Sequence, residues 1–199
     1  MVRPTGPLVI KYNNPEFEDI NSGVFDFVKN YSHIEVNTSD YYNQQGAQRT
    51  SMDIHKTDEN EYPELHYLLQ WIWSKVPDAA LKFADIERAS DGKIYVGFDP
   101  FEFEIEECWG VIYSKGHSLI KHSHFPYSMS FCYCVAAPDK CSQLVIEGEE
   151  IEMIGGDLVF FLSHLFHWVD ESDVDGRCVI AGNIKKRGVA SDIPLIVNL

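Results

Sequence analysis

Five of the eight histidines of this 199-residue chain fall between positions 117 and 167: His117, His122, His124, His164 and His167. His122 and His124 are separated by one residue. On a strand, positions i and i+2 project from the same face, close enough to grip one ion. A third ligand must then come from elsewhere in the fold, and His167 follows the strand-like run GDLVFF. Two imidazoles from one strand and a third from across a barrel leave part of the coordination sphere open, as an oxygen-activating iron site requires. His117 lies in the Lys115-Gly116 turn before the pair, and His164 in the loop SHLFH before His167, so both are read as bystanders. The bland alternative for any single histidine is a surface or hydrogen-bonded core residue.

Arg177 is the second residue that invites chemistry. It follows His167 by ten positions, across the polar turn DESDVDG, and opens the apolar run RCVIAGNI. A charged side chain entering a buried strand needs an anionic partner, and a guanidinium fork pairs bidentately with a carboxylate. That partner is either one of the chain's many acids or a ligand. Strand alternation puts Arg177, Val179, Ala181 and Asn183 on one face, so Asn183 is expected to share the pocket.

The elements that must hold these residues change character along the chain. Asn14-Pro15-Glu16 opens a helix through about Tyr31, with Phe17, Ile20, Val24, Phe27 and Val28 at helical spacing. A second helix is expected from Pro63 to Val76, stopped before Pro77, with Leu65, Leu68, Leu69, Ile72 and Trp73 as its packing face. From Cys108 onward, CWGVIYS, SFCYCVAA, QLVIEG, EEIEMI, DLVFFL, HWVDE and RCVIAGNI are short β-branched and aromatic runs between turn residues. Helices followed by a run of strands predict a mainly β protein: a double-stranded β-helix, or jelly-roll, with N-terminal buttressing helices. A single domain is expected over 1–199. It comprises a helical or mixed part at 1–107, a jelly-roll core with the metal site at 108–184 and a C-terminal extension at 185–199.

Composition narrows the partners. Hydrophobic residues make up 45% of the chain, enough for a packed core, and the net charge is −15. An acidic surface repels phosphate backbones, so no nucleic-acid partner is expected. The acidic runs DPFEFEIEE (residues 99–107), EGEEIE (147–152) and DESDVD (170–175) are read as solvated faces and loops. No stretch approaches a membrane span, and MVRPTGPLVIKYNN lacks the apolar core of a signal peptide. Cys108, Cys132, Cys134, Cys141 and Cys178 form no C-x-x-C pair, so free thiols in a reducing cytoplasm are expected.

At residues 109–184 the sequence resembles the 2-oxoglutarate and Fe(II)-dependent oxygenase superfamily, closest to its small bacterial and marine-phage branch. The matching stretches are WGVIYSKG, HSHFP, SFCYCV, GDLVFFLSHLFHWV and RCVIAGN. The resemblance implies iron held by His122, His124 and His167, with Arg177 on the far carboxylate of 2-oxoglutarate and Tyr113 giving it a second hydrogen bond. It also implies the family reaction, in which O2-driven decarboxylation of the cosubstrate is coupled to oxidation, commonly hydroxylation, of a prime substrate. Three departures stand out. His124 replaces the usual aspartate or glutamate, Val179 replaces a pocket serine, and Leu162 replaces a proline. Related enzymes act on peptidyl proline, amino acids, nucleobases and small metabolites. A small-molecule or peptidyl substrate is expected here, with Phe125, Tyr127 and Tyr133 as candidate contacts. The rival readings are a three-histidine cupin that does not use 2-oxoglutarate, and a non-enzymatic jelly-roll that binds or builds. The cupin lacks its expected glutamate, since Ser128, Met129 and Ser130 stand there, and has no use for Arg177.

Overall fold

The computed structural model describes residues 9–31, 48–91 and 102–187. In chain order they form β1 (Ile10–Asn13), α1 (Phe17–Tyr31), β2 (Gln48–Arg49), a 3-10 turn (Ile54–Lys56) and α2 (Pro63–Asp91). Eight strands follow: β3 (Phe103–Tyr113), β4 (Leu119–His122), β5 (Met129–Ala136), β6 (Leu144–Ile146), β7 (Glu149–Ile151), β8 (Asp157–Leu162), β9 (His167–Val169) and β10 (Arg177–Lys186). Residues 188–199 of the expected C-terminal extension and residues 99–101 of the first acidic run lie outside the described residues.

Two antiparallel sheets face each other. The major sheet runs β1-β8-β5-β10-β3-β2 and the minor sheet β4-β9-β6-β7. This is the jelly-roll that the strand pattern predicts. Side chains alternate across the major sheet, and the two faces build two cores. The outer face presents Cys108, Ile112, Phe131, Tyr133, Phe160, Cys178 and Ile180 to Val24, Val28, Leu65, Leu68 and Ile72 of the helices. The inner face presents Trp109, Val111, Tyr113, Cys132, Cys134, Val159, Phe161 and Val179 to Leu144, Ile146 and Val169 of the minor sheet. All five cysteines are free and buried. Cys132 and Cys134 share the inner face, whereas Cys108 and Cys178 belong to the helix side.

The fit between α1 and the major sheet requires a glycine. A Cβ on Gly110 would stand 2.5 Å from Val28 Cγ2, so any side chain there would push the helix off β3. The long helix departs from expectation: α2 runs through Pro77 to Asp91 rather than stopping at Val76. Proline costs a helix one backbone bond. Here the apolar stripe continues past it, with Val76, Ala79, Ala80 and Phe83 all buried, and that burial holds the helix together across the break.

Strand β3 also starts earlier than expected, inside the acidic run. Its register with β10 slips between Asn183 and Ile184, so Glu107 pairs with Asn183 and Ile105 with Ile184. This bulge inverts the alternation. Phe103 and Ile105 face the helices, as Cys108 and Ile112 do, whereas Glu107 turns inward with Trp109, Val111 and Tyr113.

Candidate metal centre and anion pocket

His122 ends β4 and His167 begins β9, and the two are direct cross-strand partners. His124 lies two residues past the end of β4, so His122 and His124 do not share one strand as the spacing suggested. Its position comes from its backbone instead: His124 N–H donates to Ser163 O at 2.8 Å, and Tyr127 N–H donates to His124 O at 3.0 Å. The three rings converge, with centroids 4.8 Å apart for His122–His124, 4.3 Å for His122–His167 and 4.9 Å for His124–His167. One nitrogen from each ring lies within 4.8 Å of the others. That is the spacing of a group able to close on one ion.

The orientation of the rings is fixed from behind. His122 Nδ1 lies 2.8 Å from Ile120 O and His167 Nδ1 lies 3.2 Å from Leu165 O. A ring that donates from Nδ1 to a carbonyl leaves Nε2 with a free lone pair for a metal. Electrostatics favour the same state. Burial, then the neighbouring His167 and His122 and Arg49, push His124 down to about 2; burial and His122 push His167 down to about 4; burial lowers His122. All three imidazoles are therefore neutral at physiological pH.

The inner cavity that opens on these rings reaches Arg177 at its other end, lined between by Trp109, Val111, Tyr113, Leu119, Cys132, Phe161 and Val179. Arg177 is 1% exposed, and none of its three guanidinium nitrogens has a hydrogen-bond partner. Its guanidinium carbon lies 4.9 Å from the centre of the Tyr113 ring. No carboxylate among the described residues pairs with it, although 31 acids are present in the chain. The salt-bridge alternative weighed from the sequence is thus not what the structure shows. A desolvated cation without an anion is costly, and the cavity in front of it is where an anion would go. Val179, in place of the expected serine, lines the wall between the arginine and the rings.

Asn183 shares the inner face with Arg177 but is fully engaged elsewhere. Its Oδ1 accepts from Ser130 Oγ at 2.9 Å, and its Nδ2 donates to Glu107 Oε2 at 2.8 Å and lies 3.4 Å from His124 Nδ1. Glu107 is the polar neighbour of the site that sequence reasoning missed, having assigned it to a solvated run. The available signal was its parity with Trp109 and Tyr113 on one strand. Tyr127 joins it, its hydroxyl pushed up to about 12 by burial and by its contact with Glu107. Phe125 follows His124 and is 61% exposed. Tyr133 does not face the cavity: it lies on the outer face, with its hydroxyl donating to Asn21 Oδ1 at 2.7 Å. His164 is exposed. His117 is buried against Tyr113, with ring centroids 4.8 Å apart, and is not one of the converging rings.

No protein-family model matches the chain, and no curated protein matches it in sequence. Solved structures do match. A viral collagen prolyl hydroxylase from Paramecium bursaria Chlorella virus-1, in its 2-oxoglutarate complex, superposes with a TM-score of 0.62 at 10% identity, covering 92% of this chain and 98% of that one. A Trichoplax adhaerens prolyl hydroxylase, bound to a peptide fragment of hypoxia-inducible factor, gives 0.58 at 15% identity over 88% and 83%. A Pseudomonas putida prolyl-4-hydroxylase gives 0.54 at 17% identity over 90% and 92%. The chain thus shares the double-stranded β-helix fold of these three prolyl hydroxylases. Among the described residues, no helix is long and apolar enough to cross a membrane.

Proposed function

We propose that the protein is a 2-oxoglutarate-dependent Fe(II) oxygenase acting as a hydroxylase on a peptidyl or small-molecule substrate. The observation that carries this reading is a buried, unpaired Arg177 at one end of a cavity whose other end holds three converging neutral imidazoles. His122, His124 and His167 would hold iron, which supplies O2 activation when bound. A keto-acid dicarboxylate suits the two ends: its chelating end belongs with the metal and its free carboxylate with the guanidinium. Arg177 binds that carboxylate through its fork and fixes the direction in which the cosubstrate lies. Tyr113, held beneath the guanidinium, would add a hydrogen bond from its hydroxyl. Trp109, Val111, Val179 and Phe161 wall the cavity against water, which strengthens the ion pair inside it. Phe125 and Tyr127, on the segment that follows His124, are the side chains for a prime substrate to meet.

The test is anaerobic addition of Fe(II) and then 2-oxoglutarate to the metal-free protein, followed by visible absorption. A metal-to-ligand charge-transfer band that requires both additions is the expected result. Iron binding with no response to 2-oxoglutarate would favour a three-histidine metalloenzyme of another class.

A further inference from the structure

We propose that Cys132 is a covalent modification site for small electrophilic carboxylates, which Arg177 captures and holds beside its thiol. The site needs neither metal nor 2-oxoglutarate, and its reacting atom plays no part in the function proposed above.

Three observations place that thiol between the two ends of the cavity. The first is its position on the ladder. Along β10 the inner face carries Arg177, Val179, Ala181 and Asn183, and β5 lies beside it with Cys134 opposite Val179, Cys132 opposite Ala181 and Ser130 opposite Asn183. Cys132 therefore stands between the start of β10, where Arg177 enters, and Asn183, which adjoins His124. The second is access. Cys132 lines the cavity together with Arg177. Cys134, next on the same face, is fully buried, and Cys108 and Cys178 face the helices. The third is the unanswered charge: Arg177 lines the same space with none of its guanidinium nitrogens hydrogen-bonded, and its charge reaches both Cys132 and Cys134.

A buried thiol is ordinarily a poor nucleophile. Burial holds that of Cys132 above its usual value, while the charge of Arg177 acts in the opposite direction. Capture compensates for the rest. A carboxylate paired with the guanidinium is held in the cavity, and its electrophilic carbon meets the sulfur as a bound neighbour rather than by collision. With an α-halo acid, sulfur bonds to the α-carbon, halide leaves with the bonding electron pair and the thiol proton passes to solvent. With an α,β-unsaturated acid, sulfur bonds to the β-carbon and the proton ends on the α-carbon. Neither step needs an oxidant or a reductant. A neutral electrophile of the same size gains nothing from Arg177. The product is a carboxylate tethered to Cys132 and paired with Arg177, which closes the anion pocket to free acids.

Iodoacetate and iodoacetamide, alike in size and different in charge, test the assignment on the metal-free full chain, with the labelled cysteine located by peptide mass spectrometry. Iodoacetate should label Cys132 first, and about tenfold or more faster than iodoacetamide does, the enrichment that a cleft of opposite charge gives. Succinate, an anion with no leaving group, should slow that labelling, and Cys132→Ser should abolish it. In Arg177→Met the preference for iodoacetate should vanish while iodoacetamide still reaches Cys132. Should methionine fill the cavity and shut out both reagents, Arg177→Lys decides: a retained preference supports the proposal and a lost one overturns it. Wild type labelled no faster by iodoacetate than by iodoacetamide, labelled first at another cysteine or not labelled at Cys132 overturns it, as does a preference that survives Arg177→Met. None of these outcomes touches the charge-transfer band, so the oxygenase reading and the thiol site stand or fall separately.

Discussion

Replacing Arg177 with methionine should make the metal-free protein more stable and at the same time blind to 2-oxoglutarate. The guanidinium is 1% exposed and has no hydrogen-bond partner, so its desolvation is not repaid in the absence of an anion. Exchanging buried ionic groups for apolar ones of similar volume is worth about 1–4 kcal/mol in other proteins. The lost contact with the Tyr113 ring returns about 0.5–2 kcal/mol of that, leaving a net gain of about 1–2 kcal/mol. For a chain of this length, each kcal/mol moves the melting temperature by about 2–4 °C, so Arg177→Met should melt about 2–8 °C above wild type. With metal present, 2-oxoglutarate at 100 times its Kd should raise wild-type stability by about 2.7 kcal/mol and leave the variant unmoved. Arg177→Lys should recover only part of that response, because an ammonium does not reproduce the fork. Thermal melts of both proteins, metal-free, metal-loaded and with cosubstrate, read all of this. A metal-free variant that melts at or below wild type would refute the claim that the guanidinium is unpaired, and a wild type indifferent to 2-oxoglutarate would refute its purpose.

Three further outcomes are expected. Tyr133→Phe strands Asn21 Oδ1 in the core and should cost about 1–2 kcal/mol in a denaturant titration; metal and cosubstrate affinity should not change, because the ring faces the helices. Gly110→Ala should lower the melting temperature by driving a methyl into Val28, for a cost of about 1–3 kcal/mol, and Gly110→Ala with Val28→Ala should regain part of it. His117, which burial pushes down to about 4, makes the fold sensitive to acid. Its folded value lies below its unfolded one, so its contribution is complete above about 6.5 and is lost as pH falls through that value toward 4. A pH series of melts on the metal-free protein should show that decline, to which the depressed His122, His124 and His167 also contribute, and His117→Phe should remove the His117 share and make it shallower.

The residues legible in the sequence were those whose identity is improbable in their setting. A charge at the mouth of an apolar strand, and paired histidines before a strand-rich segment, announce themselves because burial penalises them unless something is gained. Arg177 and the converging rings of His122, His124 and His167 are of this kind. Features that depend on register were not legible. Glu107 keeps the parity of Trp109 and Tyr113, but Ile105, two residues before it, faces the helices, and no local pattern marks where the extra residue falls. Tyr133 sits in an all-buried strand, MSFCYCVA, where hydrophobicity is uniform on both faces and cannot say which one meets the cavity. Pro77 misled for a different reason: its local penalty is real, but it is outweighed by apolar contacts with elements distant in sequence. The short outer strands β1 and β2 carry too few residues to show a period.

The hairpin of β6 and β7 turns through Glu147 and Gly148, both at positive φ, and leaves β7 as the outermost strand of the minor sheet. An outermost strand is an open template: its unpaired amides and carbonyls invite a second molecule to lie alongside. In this protein that strand is three residues long, and it begins with Glu149 and Glu150, both exposed. Two copies approaching edge to edge would bring like charges together before their backbones could pair. The acidity of this stretch therefore does more than solvate a loop: it keeps the thin side of the sandwich from recruiting its own kind.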